Sequence, residues 1–385
     1  MSATIIEPHG HCAERFAAVA DAFAANFGED SDPQDVGAGI AVTVEGELVV
    51  DLWHGTVETD AGPDQLWQAD TIINVWSTTK TVSALACLML ADQGELDLHG
   101  RVAAVWPEFA ANGKDAIEVR HIMSHTAGLS GWDAPMAPEE LYDWDKATSL
   151  LAAQAPWWEP GTVSGYHAIT QGYLEGEIVR RVTGQTIGQF VAEHITRPLG
   201  ADFHIGTEAA HDSRVGYVIP PPTPAVGDLA PDSIAMKTLG NPPLDARQSA
   251  TIPWRRAEIP AAGGHGNARS VAQIHAPMAN GGEANGVRLL GPATIDAVFE
   301  EQCHGQDLIL PIVLRHGIGF GLPSESAPFP SPRTAFWGGW GGSLAIVDLD
   351  QRMTFSYVMN RMGEGTVGDL RGITILMAIY GALAA

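Results

Sequence analysis

The chain has 385 residues, 45% of them hydrophobic, enough to bury one large core or two smaller ones and too apolar for a disordered or fibrous protein. Its 46 acidic and 21 basic residues leave a net charge of -25, which repels phosphate backbones and anionic lipid and excludes nucleic acid and membrane surfaces as expected partners. Three scattered cysteines, Cys12, Cys87 and Cys303, form neither a disulfide framework nor a thiolate zinc site, so a reducing, cytoplasmic setting is expected.

The first residues, 1–15, lack the basic start and apolar run of a secretory signal, and no apolar stretch reaches the roughly 18 residues of a membrane span. His9, His11 and Cys12 stand close together, but no second ligand pair follows at a matching spacing, and no metal or other cofactor is expected. Helical spacing over 13–27, closed by Gly28, opens the chain. Two runs rich in β-branched residues, 40–44 and 48–53, then read as a hairpin around Gly46.

Residues 79–93, rich in Ala, Leu and Met and stopped by Gly94, read as a buried helix, and the pattern stays helical over 141–199. Residues 220–260 are rich in proline without clear periodicity and read as an extended loop bordering the active site. A helix over 270–279, a second hairpin from 344–347 and 353–359, and an apolar helix over 370–384 complete the chain. Strands at both ends therefore enclose a helical middle. That order predicts an α/β domain from residues 1–75 and 256–385, a mostly helical domain from 76–255, and a site in the cleft between them.

The first chemical signal is Ser77-Thr78-Thr79-Lys80, at the start of the strong helix. One helical turn sets the hydroxyl and the amine on one face, where a desolvated lysine can take the serine proton. The helix start also directs the Ser77 backbone N–H toward a developing oxyanion. Of the four lysines in the chain, Lys80 alone follows a serine by three positions, and it sits in an otherwise apolar helix. A lysine that snorkels to the surface is the bland alternative.

Two glycine-rich segments add to this. Glu159-Pro160-Gly161-Thr162-Val163-Ser164-Gly165-Tyr166 delivers Tyr166 from a loop, where its phenol can relay a proton beside Lys80; otherwise it is a packed aromatic. Phe336-Trp337-Gly338-Gly339-Trp340-Gly341-Gly342-Ser343 precedes the second hairpin, and its glycines let a strand edge approach a ligand closely. A tight turn with exposed tryptophans is the alternative there.

Together these segments resemble the serine β-lactamase and penicillin-binding-protein superfamily, above all its family VIII carboxylesterases, which are close to class C β-lactamases. His121-Ile122-Met123-Ser124-His125-Thr126-Ala127-Gly128-Leu129 looks like its His-Thr-Ser-Gly-Leu segment, and Ala261-Ala262-Gly263-Gly264 with Ala268-Arg269-Ser270 like its later glycine turn. The resemblance implies a β-lactamase/transpeptidase-like α/β fold, an antiparallel sheet flanked by helices with an inserted helical domain. It implies Ser77 as the acylated nucleophile, Lys80 and Tyr166 as the proton-transfer pair, and the N–H groups of Ser77 and Trp340 as the oxyanion hole. Trp337, Gly338 and Gly339 fall where the family binds substrate, and His167 is expected to face the pocket. His125 and Arg269 look structural.

Two departures bear on substrate. Ala168 occupies the usual asparagine position after Tyr166, and Trp337 replaces the lysine that meets a substrate carboxylate. The expected function is hydrolysis of small, short-acyl esters through an acyl-enzyme. Alternatives are β-lactamase or D-alanyl-D-alanine peptidase activity, or a catalytically silent binding module. An α/β-hydrolase is set aside because no G-x-S-x-G pentapeptide occurs.

Overall fold

The computed structural model describes residues 6–223 and 229–385. Its main sheet has seven antiparallel strands: β1 (His9–Cys12), β2 (Gly37–Val44), β3 (Glu47–Thr59), β4 (Gly62–Leu66), β5 (Thr334–Gly338), β6 (Leu344–Asp348) and β7 (Met353–Met359). They lie in the order β1-β3-β2-β7-β6-β5, with β4 beside β3. The seam between the two ends of the chain is β2 against β7, where Ile40 faces Tyr357 and Val42 faces Phe355.

Each hairpin has a local cause. Glu45 (φ 53°) and Gly46 (φ 86°) form a two-residue turn with both φ positive, the twist that matches right-handed strands. At the β6–β7 turn, Asp348 Oδ1 accepts the Gln351 N–H at 2.9 Å. The central strands β2, β6 and β7 are almost wholly buried because helices cover both faces. On one face lies α4 (Ala268–Ala279), whose Ala272 carbonyl accepts from Thr354, which also bonds Thr43 across the β2–β7 seam. On the other lie α1 (Ala17–Ala25) and α5 (Leu370–Ala384), with Arg15 capping the last carbonyls of α5 and Gly372 set against Leu344 and Tyr357.

Helix α2 (Thr79–Asp92) is buried on every side from Thr79 to Leu90, as a central helix must be when apolar all round. It packs on α3 (Thr170–Thr183), which ends at Gly184 in the left-handed conformation. Of the stretch 220–260, residues 224–228 lie outside the described residues, and the remainder is not one extended loop. It holds short helices at Ile234–Leu239 and Ile252–Arg256, capped by Ser233 and Thr251, whose hydroxyls accept from Met236 and Trp254. Each is too short to carry a period, which is why composition alone reads as loop. Four two- or three-residue strands, Phe203–His204, His265–Gly266, Ile72–Asn74 and Val215–Gly216, form a second small sheet.

Candidate active site

That small sheet delivers the chain to Ser77. Strand Ile72–Asn74 runs into Val75 and Trp76, and Trp76 adopts φ 49°, a conformation costing a non-glycine residue roughly 1–2 kcal/mol. The surroundings hold it there: the indole packs against Trp254 and Trp340 at centroid distances of 5.5 and 5.0 Å. The kink starts the turn that raises Ser77 at the head of α2.

Lys80 is 2% exposed, and its Nζ lies 3.1 Å from Ser77 Oγ. The same nitrogen donates to the carbonyls of Ala168 at 2.6 Å and Ala261 at 2.9 Å. A neutral amine has two N–H bonds and one lone pair; with both hydrogens taken by carbonyls, the lone pair remains for the serine hydroxyl. Burial lowers Lys80 to about 7, with the Glu175 carboxyl acting in the opposite sense.

Tyr166 approaches from the other side, its hydroxyl donating to Ser77 Oγ at 2.6 Å. Burial raises this phenol to about 12, partly offset by the Ser77 hydrogen bond, so it is a proton donor near neutrality. Its loop is fixed by Asp307, which accepts the Tyr166 N–H and the Ser164 hydroxyl at 3.1 and 2.8 Å.

The glycine segment completes the site. β5 ends at Gly338, and a Cβ on Gly339 would lie 2.3 Å from Ser343 Oγ and 2.4 Å from the Val75 carbonyl, so only glycine lets this strand end meet the Ser77 turn. Ser343 ties the two together, donating to the Val75 carbonyl at 2.7 Å and sharing a 2.9 Å bond with Thr78. Arg371, at the start of α5, holds the turn from below by donating to the Gly341 carbonyl and to the buried carboxylate of Asp35. Among the described residues, neither the Ser77 nor the Trp340 backbone N–H has a hydrogen-bond partner.

Ser77, Tyr166 and Trp340 line a cleft with Trp76, Leu239 and Leu244 among its apolar walls. Among the described residues no charged side chain lines it. Arg247 borders an adjoining groove, paired with Asp245 at 3.2 Å.

Two candidates lie elsewhere. His167 does not face the cleft: it is 0% exposed, its Nε2 accepts the Leu129 N–H at 3.0 Å and its Nδ1 donates to the Gly165 carbonyl at 2.6 Å. With both nitrogens spent on backbone and burial lowering it to about 3, it is a neutral brace. Trp337 is 3% exposed and absent from the cleft wall. Side chains alternate along β5, and this position turns its indole into a layer with Tyr166, His125 and His316, at centroid distances of 5.5, 5.6 and 5.4 Å. Trp340, past the strand end, is the indole that reaches the cleft.

His125 also belongs to this layer. Its Nδ1 accepts the His167 N–H at 3.0 Å, and burial drives it well below the ordinary histidine value. Arg269 pairs with Asp51 and donates to the Ala69 carbonyl, tying α4 to the sheet. His9, His11 and Cys12 lie on edge strand β1; among the described residues no group of three or more such side chains is arranged to hold a metal ion. Sequence reading missed the carbonyls of Ala168 and Ala261, the Trp76 kink and the Ser343 hydroxyl, whose parts depend on how distant stretches of the chain meet.

A family model described as Beta-lactamase matches residues 20–377. The chain belongs to the β-lactamase family. Within that family, the solved structure of a family VIII carboxylesterase is 40% identical and superposes with a TM-score of 0.91, covering 98% of this chain and all of that one. A penicillin-binding protein homologue from Caulobacter crescentus is 37% identical, with a TM-score of 0.90 and 98% of this chain covered against 100% of its own. The esterase/β-lactamase LipL of Mycobacterium tuberculosis is 32% identical over 368 residues, 90% of this chain and 82% of LipL.

Proposed function

We propose that the protein is a serine hydrolase of small carboxylic esters in which Ser77 is transiently acylated. The observation that carries this reading is the double approach to Ser77 Oγ, by Lys80 Nζ at 3.1 Å and Tyr166 Oη at 2.6 Å, on the floor of an apolar cleft. The esterase character of the family relatives supports it.

In the reaction, Ser77 Oγ bonds to the ester carbonyl carbon as its proton passes to the Lys80 amine. The carbonyl oxygen becomes an oxyanion held by the N–H groups of Ser77 and Trp340, a contribution of about 3–4 kcal/mol per donor in comparable sites. The carbon–oxygen bond to the alcohol then breaks, the alkoxide takes the Tyr166 proton, and the Lys80 ammonium restores the phenol. Water repeats these steps on the acyl-enzyme and releases the acid. Gly338 and Gly339 serve by letting the strand end approach the bound acyl group.

Among the described residues the cleft wall offers a substrate carboxylate no cation, so neutral esters lose nothing there while a β-lactam or peptide C-terminus desolvates its charge without a partner. β-Lactam turnover is the second reading, favoured by the family match, and it ranks below ester hydrolysis for this reason. The reading takes residues 1–75 and 256–385 as the α/β domain and 76–255 as the helical one, with cleft residues drawn from both. Among the described residues no helix is long and apolar enough to cross a membrane. The three free thiols, Cys12, Cys87 and Cys303, support a reducing cytoplasm. The test is kcat/KM for p-nitrophenyl butyrate against nitrocefin: a preference for the ester is expected, and a preference for nitrocefin would overturn the ester assignment.

A further inference from the structure

Tyr166 rides on a stretch, 154–169, that forms neither helix nor strand, so no regular ladder of backbone hydrogen bonds sets its phenol over Ser77. Individual acceptors do so instead. The N–H groups of Gly165, Tyr166 and His167 go in turn to the His125 carbonyl at 3.0 Å, Asp307 Oδ1 at 3.1 Å and His125 Nδ1 at 3.0 Å. The acceptor for Tyr166 itself is thus a side chain 141 residues away in the sequence.

Asp307 opens the loop of the hairpin formed by Cys303–Gln306 and Val313–His316. It is 4% exposed. Its Oδ1 accepts the N–H groups of Tyr166, Ile309 and Leu310 at 3.1, 2.8 and 2.9 Å, and its Oδ2 accepts the Ser164 hydroxyl at 2.8 Å. Among the described residues no backbone carbonyl takes any of those N–H groups, so without the carboxylate they would be buried unpaired. One side chain therefore folds the hairpin loop and fastens it to the loop of Tyr166. The Leu308 N–H adds a bond to the Ser164 carbonyl at 3.0 Å, and Ile309 and Leu310 join Tyr166 in one apolar cluster. Burial and, to a smaller degree, the Asp307 charge raise the phenol, which keeps it in its proton-donating form.

We propose that Asp307 is a positioning residue for the acid step, and that through it the site is built for esters of ordinary aliphatic alcohols. The proposal rests on Tyr166 being the proton donor. Once Ser77 Oγ has bonded to the carbonyl carbon of an alkyl ester, the carbon–oxygen bond to the alcohol breaks and its electron pair stays on an oxygen too basic to leave unaided. The Tyr166 proton passes to that oxygen, and the Lys80 ammonium returns a proton to the phenolate. A p-nitrophenolate is a weak base and departs without the proton. Asp307 is not part of the cleft wall, so its loss acts by displacing the phenol and is felt where the proton is needed. A displacement of about 1 Å costs on the order of a hundredfold.

The test compares kcat/KM for ethyl butyrate and p-nitrophenyl butyrate in the wild type, Asp307→Ala, Asp307→Asn and Tyr166→Phe. Both esters give the same butyryl-enzyme, so kcat/KM reports acylation through release of the alcohol and not the shared hydrolysis that follows, in which Tyr166 serves every ester alike. The wild type should hydrolyse both, and one confined to p-nitrophenyl butyrate contradicts the proposal. Asp307→Ala should lose about a hundredfold on ethyl butyrate and only about threefold on the p-nitrophenyl ester. Asp307→Asn, whose amide oxygen still accepts the backbone N–H groups, should recover most of that ratio. A role in packing alone lowers both esters alike in Asp307→Ala, and an unchanged ratio overturns the proposal. Should Asp307→Ala not fold, Ser164→Ala decides: it removes only the contact to Oδ2 and should lower the ratio about threefold, and an unchanged ratio there overturns the proposal as well. Tyr166→Phe separates the two failures. An unchanged ratio in that variant removes the acid role from Tyr166 itself, whereas a fallen ratio there with an unchanged one in Asp307→Ala removes only Asp307.

Discussion

The Tyr166 hydroxyl stands 2.6 Å from Ser77 Oγ, closer than the Lys80 amine at 3.1 Å, and it donates where the amine is free to accept. With the phenol raised to about 12 and the amine lowered to about 7, the proposed reaction assigns Lys80 as base and Tyr166 as acid. Tyr166→Phe and Lys80→Met should each lower kcat by about a hundredfold or more, since acid–base groups contribute on that scale. The double variant should be little worse than either single one; a loss equal to the product of the two would show that the residues act independently.

Activity should rise with pH through about 7, because a lysine whose value burial has lowered is protonated below that point and free above it. No alkaline fall is expected until Tyr166 ionises, near 12. A profile of kcat/KM between about pH 5.5 and 9.5 checks this. Activity that declines across that range would reverse the assigned roles.

Arg371 joins the Gly341 carbonyl to Asp35 and Asp369 beneath the oxyanion turn, and it is almost fully buried. Arg371→Leu would leave the Asp35 carboxyl buried without its cation, a loss of about 3–5 kcal/mol. Thermal denaturation should show a large drop in Tm. The more conservative Arg371→Lys, which keeps the charge and loses the fork, should lower kcat more than KM as the Trp340 N–H loses its support. Unchanged kcat in that variant would detach Arg371 from the turn.

Trp337→Lys tests the difference between the two indoles of the glycine segment. A lysine there enters the layer of Tyr166, His125 and His316, where an ammonium is desolvated and does not reach the cleft. The variant should be destabilised without gaining nitrocefin turnover. A rise in nitrocefin kcat/KM would mean that position 337 does contact substrate.

Legibility in the sequence followed physical range. Ser77 and Lys80 were readable because one helical turn relates them, and the strand pairs around Gly46 and Asp348 because alternation and turn chemistry are local. Which tryptophan reaches the cleft was not, since it depends on the register of β5 against β6 and on where that strand ends. His167 was misplaced for a similar reason: nothing in its neighbours tells that the Leu129 N–H and Gly165 carbonyl occupy both ring nitrogens. The short helices at Ile234–Leu239 and Ile252–Arg256 did leave a signal in their caps, Ser233 and Thr251, which composition outweighed.

The most direct measurement is peptide mass spectrometry after reaction with a fluorophosphonate, run beside the loss of p-nitrophenyl butyrate hydrolysis. The covalent adduct should lie on the peptide containing Ser77, accumulate in step with inactivation, and be absent from a folded Ser77→Ala variant that hydrolyses no ester. Hydrolysis that survives in Ser77→Ala, or an inactivating adduct on another residue, would contradict the account.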